Sequence, residues 1–220
     1  MKPGFYAALL LCVLASVSCS TTGIDKAAYQ QRLIKTLPNQ RDVSFNDDAV
    51  YPGGVWCGSY TSLSGNGFTT ETKPFVVTKD KVLRRTSDKQ RFVYCNSNPL
   101  GALAEAYGLD VSSGGVAQLA TIVDDFASID RAITSYHYVR NTMPVSLEDL
   151  VNANLVANDA VVKDPWGRQY VFKAGLAGRT TPRYQLKTLG ADGRSGGKGS
   201  ASDIVKEDAP AIQHALANAG

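Results

Sequence analysis

Leu189-Gly190-Ala191-Asp192-Gly193-Arg194-Ser195-Gly196-Gly197-Lys198-Gly199-Ser200-Ala201-Ser202-Asp203-Ile204 is the stretch on which the reading of this chain turns. Asp192 and Asp203 are the only carboxylates between Lys187 and Lys206. A hard cation such as calcium takes about six to eight oxygens, many of them backbone carbonyls. A short stretch of chain supplies several carbonyls only if it turns sharply, and glycine permits the positive φ angles such turns need. Read by itself, the pattern suits either an ordinary flexible loop or a calcium site. It does not follow the EF-hand rule, which asks for more acidic residues at tighter intervals.

Upstream of this loop the apolar residues change period. Leu119, Val123, Phe126, Ile129 or Asp130, Ile133 and Tyr136 fall at helical spacing, so residues 116–140 are predicted as a helix with one continuous apolar stripe. Asp124, Asp125, Arg131 and Arg140 lie elsewhere on its circumference, as suits a helix packed on a sheet. Pro144 ends it, and Ser146-Leu147-Glu148-Asp149 predicts a second helix with Ser146 as N-cap and Asp149 in the first turn. Two strands are expected next, at 169–172 and 183–187. The predicted fold class is α+β: a long helix packed on a small antiparallel sheet that carries the glycine-rich loop, preceded by a small disulfide-stapled β module.

That module is placed at residues 42–98. Val55-Trp56-Cys57-Gly58-Ser59-Tyr60, Lys73-Pro74-Phe75-Val76-Val77 and Arg91-Phe92-Val93-Tyr94-Cys95 read as three strands, with a turn at 63–67. The remaining boundaries follow from composition: residues 1–18 an export signal, 19–41 a polar tether, 99–115 a joint, 116–205 the second folded unit and 206–220 a tail.

Two motifs in register add a resemblance. Asp164-Pro165-Trp166-Gly167-Arg168-Gln169-Tyr170 is similar to the DPWG-x-x-Y segment of the major pseudopilin of type II secretion systems. Leu189-Gly190-Ala191-Asp192-Gly193, followed by Gly196-Gly197, Gly199 and Ser202-Asp203-Ile204, resembles that family's calcium loop. The likeness covers about residues 116–204. It implies a pseudopilin-like globular domain with Asp192 and Asp203 as side-chain calcium ligands and the Leu189 carbonyl as the main-chain one. Arg194 and Lys198 stand where family members often carry neutral or acidic residues, which implies weaker calcium affinity. In the Asp-Pro-Trp-Gly turn, Asp164 is expected to cap and Trp166 to pack on the core.

The N-terminus departs from that family. Lys2 and the apolar run from Phe5 to Ala15 are too short to span a bilayer but suit an export signal. Ser16-Val17-Ser18-Cys19 resembles a bacterial lipobox, with Ser16 where Leu is usual. Lipidation at Cys19 and plain cleavage near the same place are both open, and Ser20 resembles the pattern that sends lipoproteins to the outer membrane. A long stacking helix of the pseudopilin kind is not legible here. Export makes a disulfide the default for the two remaining cysteines, Cys57 and Cys95. Zinc needs about four ligands, and besides the cysteines only His137 and His214 are at hand.

Composition excludes other classes. The chain has 220 residues, 44% hydrophobic and 20% charged, so it is expected neither to be disordered nor to span a membrane repeatedly. Its 23 basic residues less Lys2, against 20 acidic ones, leave +2, too balanced to imply nucleic acid. Neither histidine stands near a recognisable Ser or Cys nucleophile, so no enzyme is expected. The expected role is that of a calcium-stabilised envelope lipoprotein whose partners are proteins of a secretion or pilus-like system, with the membrane engaged through the N-terminal lipid. The second expectation is a stand-alone lipoprotein that binds a ligand or envelope polymer.

Overall fold

The computed structural model describes residues 24–65, 67–175 and 183–219. The export signal and Cys19 lie outside the described residues. Among those described, no helix is long and apolar enough to cross a membrane.

Helix α1 (Lys26–Lys35) opens the order, its N-terminus capped by the Asp25 carboxylate, which accepts from the Ala28 amide. Strands β1 (Ser44–Tyr51), β2 (Val55–Leu63) and β3 (Thr70–Val77) form an antiparallel meander in the order β1-β2-β3. Because side chains alternate along a strand, β2 and β3 bury residues on both faces. Trp56, Phe75 and Val77 meet Tyr29, Leu33 and Leu37 of α1 and its C-terminal extension. The Trp56 and Phe75 rings lie 4.3 Å apart, and the Trp56 indole donates to Asp48 at 2.7 Å. Val55, Cys57 and Val76 face the opposite way, into the main core.

Helices α2 (Asp88–Tyr94) and α3 (Pro99–Tyr107) cover that second face. The expectation of a strand at 91–95 is corrected here. Ser87 and Gln90 form a capping box, each side chain bonded to the other's backbone amide, and this nucleates a helix through Tyr94. Val93 and Tyr94 are consecutive and both buried, which a half-exposed strand does not allow. The Cys57–Cys95 disulfide is present and joins β2 to the end of α2. Its ends are 38 positions apart in the sequence, and by restraining the unfolded chain it stabilises the fold by about 3–4 kcal/mol on chain-entropy grounds.

Helix α4 (Ser113–Arg140) runs through the main core. It buries Leu119, Ile122, Val123, Phe126, Ile129, Ala132 and Ile133, the expected stripe widened by Ile122 and Ala132, while Tyr136 is only half-buried. Its start is capped by Ser112, and Asn141 in left-handed conformation ends it. Helix α5 (Glu148–Asn152) is short. Its entry is held by the Asp149 carboxylate, which accepts from the Val145 and Ser146 amides, and not by the expected Ser146 side-chain cap. Strands β4 (Val171–Ala174), β5 (Tyr184–Thr188) and β6 (Ile204–Val205) form a second antiparallel sheet in the order β4-β5-β6. Leu186, Ile204, Tyr170 and Tyr184 pack towards α4.

The last helix, α6 (Ala209–Ala217), occupies the segment expected as a tail. Ala211, Ile212 and Ala215 are fully buried against α2, α3 and α4, and Val55, Val93, Leu103, Phe126 and Ile212 belong to one core. The tether and joint regions are likewise helical, as α1 and α3. Amphipathic helices of about ten residues are hard to tell from linkers without their partner surface.

His214 of α6 is held against the Tyr94 ring at 4.8 Å, with Gly53 of the β1–β2 turn beside it and Asn218 bonded to Nδ1. Burial pushes its pKa below the ordinary histidine value. The unfolded chain therefore takes up a proton that the folded chain resists. Stability is fully present above about pH 6.5 and is lost as pH falls below it. Urea midpoints measured at about pH 7.5 and 5.5 should fall at the lower pH, and His214→Gln should flatten that dependence. An equal fall in the variant would assign it elsewhere.

Candidate metal loop and its supports

The Asp-Pro-Trp-Gly turn sets the geometry of the loop that follows β5. Asp164 is buried, and its Oδ1 accepts from the Trp166 and Arg168 amides while its backbone amide donates to the Arg168 carbonyl. Trp166 is half-buried against the main core. Both roles are those expected for the turn. The second carboxylate oxygen, Oδ2, reaches out of the turn and accepts from the Thr188 hydroxyl at 2.7 Å. Thr188 Oγ1 in turn accepts from the Gly190 amide at 3.1 Å. A buried carboxylate is costly unless fully hydrogen-bonded, and these donors satisfy both of its oxygens. The turn and Gly190 at the start of the loop are thereby one polar unit.

Gly190 could carry no side chain. Its φ is +68°, and a Cβ there would lie 2.6 Å from the Ala201 carbonyl carbon. The two arms of the loop meet at this point, where the Ala191 amide donates to the Ser200 carbonyl at 2.8 Å. The far arm is tied outside the sheet as well. The Gly108 carbonyl, just past α3, accepts from the Gly199 amide at 2.6 Å and from the Ser202 hydroxyl at 3.1 Å. Leu109 and Gly199 form a parallel bridge there.

The loop carboxylates are disposed differently from each other. Asp192 is exposed, with Oδ1 accepting from the Arg194 amide at 2.9 Å in a tight turn. Asp203 is half-buried; Oδ1 accepts from the Gly196 amide at 3.1 Å and Oδ2 from the Ser195 hydroxyl at 3.3 Å. Oδ2 also meets the Lys187 ammonium at 3.4 Å. Among the described residues no group of three or more His, Cys, Asp or Glu side chains is placed to share a metal. A cation here would therefore depend on backbone carbonyls, which fits a hard, oxygen-seeking ion such as calcium and not zinc.

Thr188, Lys187, Gly108 and Arg168 escaped sequence reasoning. The Arg168 side chain lies against Gly193, where a Cβ would come within 2.7 Å of its Nε. Nothing in the linear order links Gly108 to Gly199, or Asp164 to Thr188. The alternation of β5 did place Thr188 and Leu186 on one buried side, which is the one signal that could have pointed to a buried hydroxyl seeking a partner.

On α4 two further carboxylates serve structure. Asp125 accepts from the Tyr170 hydroxyl at 2.8 Å, and Asp130 accepts from Tyr184 and pairs with Lys206 at 3.3 Å. Burial raises the pKa of Asp125 despite its hydrogen bond.

Residues 110–207 match the family model of type II secretion system (T2SS), protein G. The matched segment starts at Asp110, next to the Leu109–Gly199 bridge, and ends just beyond β6; it holds α4, α5, the turn, the second sheet and the loop. No curated protein matches the chain.

Thr188→Val keeps shape but removes the hydroxyl that serves both Asp164 and Gly190. Each buried group left unpaired costs about 1–3 kcal/mol. Chemical unfolding should show a loss of that order for Thr188→Val and a much smaller one for Thr188→Ser. Equal stability of Thr188→Val and the parent would show the linkage to be energetically idle.

Proposed function

Taking residues 110–207 as a pseudopilin domain of the type II secretion protein G kind, we propose that the chain is a non-enzymatic envelope lipoprotein whose domain serves as an accessory or interaction component of a secretion or pilus-like system. The observation that carries this is the family match, together with its two motifs meeting in space: the Asp164 turn braces the start of the glycine-rich loop through Thr188. Lipidation at Cys19, outer-membrane attachment and protein partners in the envelope belong to the same proposal. The start of α4 supports an accessory part over a stacking one. Ser112 caps that helix at Ser113, and α3 precedes it as a separate helix, so α4 does not continue upstream as one long rod.

Calcium is part of the proposal too. Asp192 and Asp203 would hold it, with the Leu189 carbonyl and other loop carbonyls completing the shell. When bound, the ion would link the two arms of the loop that now meet at Gly190.

A second reading has its own observation. A groove of about 730 Å³ lies beside the disulfide between sheet β1-β2-β3 and helices α2 and α3; Tyr51, Phe92, Cys57, Cys95, Asp47 and Glu105 line it. Its size suits a small ligand, which supports a binding lipoprotein that uses the pseudopilin-like domain as scaffold.

Four measurements test these proposals. Purification at native abundance from detergent-solubilised envelopes should recover a named secretion or pilus component, and the Cys19→Ala form should be released from the membrane. Recovery of none, with unchanged export of secreted proteins in a strain lacking the gene, would overturn the first reading and favour the second. Separately, calcium at about a hundredfold excess over its Kd should add about 2.7 kcal/mol of stability. That is enough to raise the melting temperature by several degrees, with magnesium a poor substitute. Identical melts in calcium and in chelator would remove the ion from the account.

A further inference from the structure

The pairing of β5 with β6 brings one basic side chain to the loop carboxylate of Asp203. Lys187 is registered opposite Val205, and Asp203 stands two residues before Val205. In an antiparallel pair that makes them diagonal neighbours on the same face, within reach of a long side chain. Leu186 and Thr188, to either side, turn into the core. The Lys187 ammonium accordingly lies 3.4 Å from Asp203 Oδ2, with side chains 32% and 21% exposed. This pair is shielded more than a free surface ion pair, so its attraction is less screened by salt. The Ser195 hydroxyl donates to the same Oδ2, and the Gly196 amide donates to Oδ1. The loop is thus closed upon Asp203 by groups of the chain itself.

We propose that Lys187 is a resident cation of this loop: its ammonium holds the Asp203 carboxylate in the metal-free state, and a divalent ion must displace it to bind. The inference rests on the calcium reading above and adds its regulation. Lys187 lets the loop keep its closed form without metal, and it sets the affinity for calcium lower than two carboxylates and a ring of carbonyls would give. Arg168 against Gly193, with Arg194 and Lys198 on the loop, acts in the same direction at longer range. Lys187 differs from these three in setting its charged group against a ligand oxygen, so its removal has an effect theirs does not share: it opens the metal-free loop and tightens metal binding together. A merely structural lysine would show only the first.

The experiment uses the full-length chain, purified in detergent and stripped of metal. Calcium chloride is titrated calorimetrically into the parent, Lys187→Met, which keeps the length of the side chain without its charge, and Lys187→Arg. Melting temperatures are taken for each with chelator and with calcium. Lys187→Met should bind calcium about fivefold more tightly than the parent, the scale of one partly screened ion pair, and Lys187→Arg should not. With chelator, Lys187→Met should melt below the parent, and saturating calcium should close the gap. Equal calcium affinity of parent and Lys187→Met overturns the role of Lys187 and leaves the calcium reading standing. Absence of heat and of any calcium-dependent melting shift in all three proteins overturns the calcium reading, and the competition with it.

Discussion

The apolar stripe of α4 is the constraint from which the rest of the architecture follows. Leu119, Ile122, Val123, Phe126, Ile129, Ala132 and Ile133 lie along one helix and are buried almost completely. Each large side chain so removed from water contributes about 1.5–3 kcal/mol, and they add along one helix. That stripe needs cover along its whole length. Sheet β4-β5-β6 supplies it through Tyr184, Leu186 and Ile204, Tyr170 just before β4 adds to it, and α6 supplies it through Ala211, Ile212 and Ala215. The position of the glycine-rich loop is then settled, because the loop joins β5 to β6 and both strands are fixed on α4.

Polar groups refine what burial sets. Asp125 and Asp130, on the edge of the stripe, receive the hydroxyls of Tyr170 and Tyr184 and so fix how the sheet lies on the helix. Asp164 receives Thr188, and Thr188 receives Gly190. Gly108 receives Gly199 and Ser202. Each bond satisfies a group that would otherwise be costly to bury. Through Gly108 the loop touches the end of α3, which lies before the segment matched by the secretion family. The family-like domain and the part of the chain that precedes it thus share both an apolar core and a hydrogen-bonded seam.

The N-terminal half rests on a different device. A three-stranded meander has two faces to cover, and here each has its own partner: α1 on the side of Trp56 and Phe75, and α2 with α3 on the side of Val55, Cys57 and Val76. The disulfide crosses from β2 to the end of α2 on the second side. It lines the groove shared with Tyr51 and Phe92, so one wall of that groove is held covalently in place.

The sequence alone determined whatever rests on local periodicity, spacing or cysteine count. The α4 stripe, strands β2, β3, β4 and β5, the cap of the Asp-Pro-Trp-Gly turn and the pairing of Cys57 with Cys95 were all legible, because each is written in residues close together or, for the cysteines, in the two that remain beside the export signal and Cys19. Segment 91–95 misled, since Phe-Val-Tyr-Cys is a short apolar run of the kind that suits a strand and only the capping box at Ser87 and Gln90 makes it a helix. The tertiary structure alone decided that α1, α3 and α6 are core helices, for a short amphipathic segment gains its stability from the surface it meets. It also decided which groups stand around the loop. Asp203 meets Lys187, Asp164 meets Thr188, and Gly108 meets Gly199 because strand register and helix packing bring distant positions within about 3 Å, a typical hydrogen-bond length, and no local pattern encodes that distance.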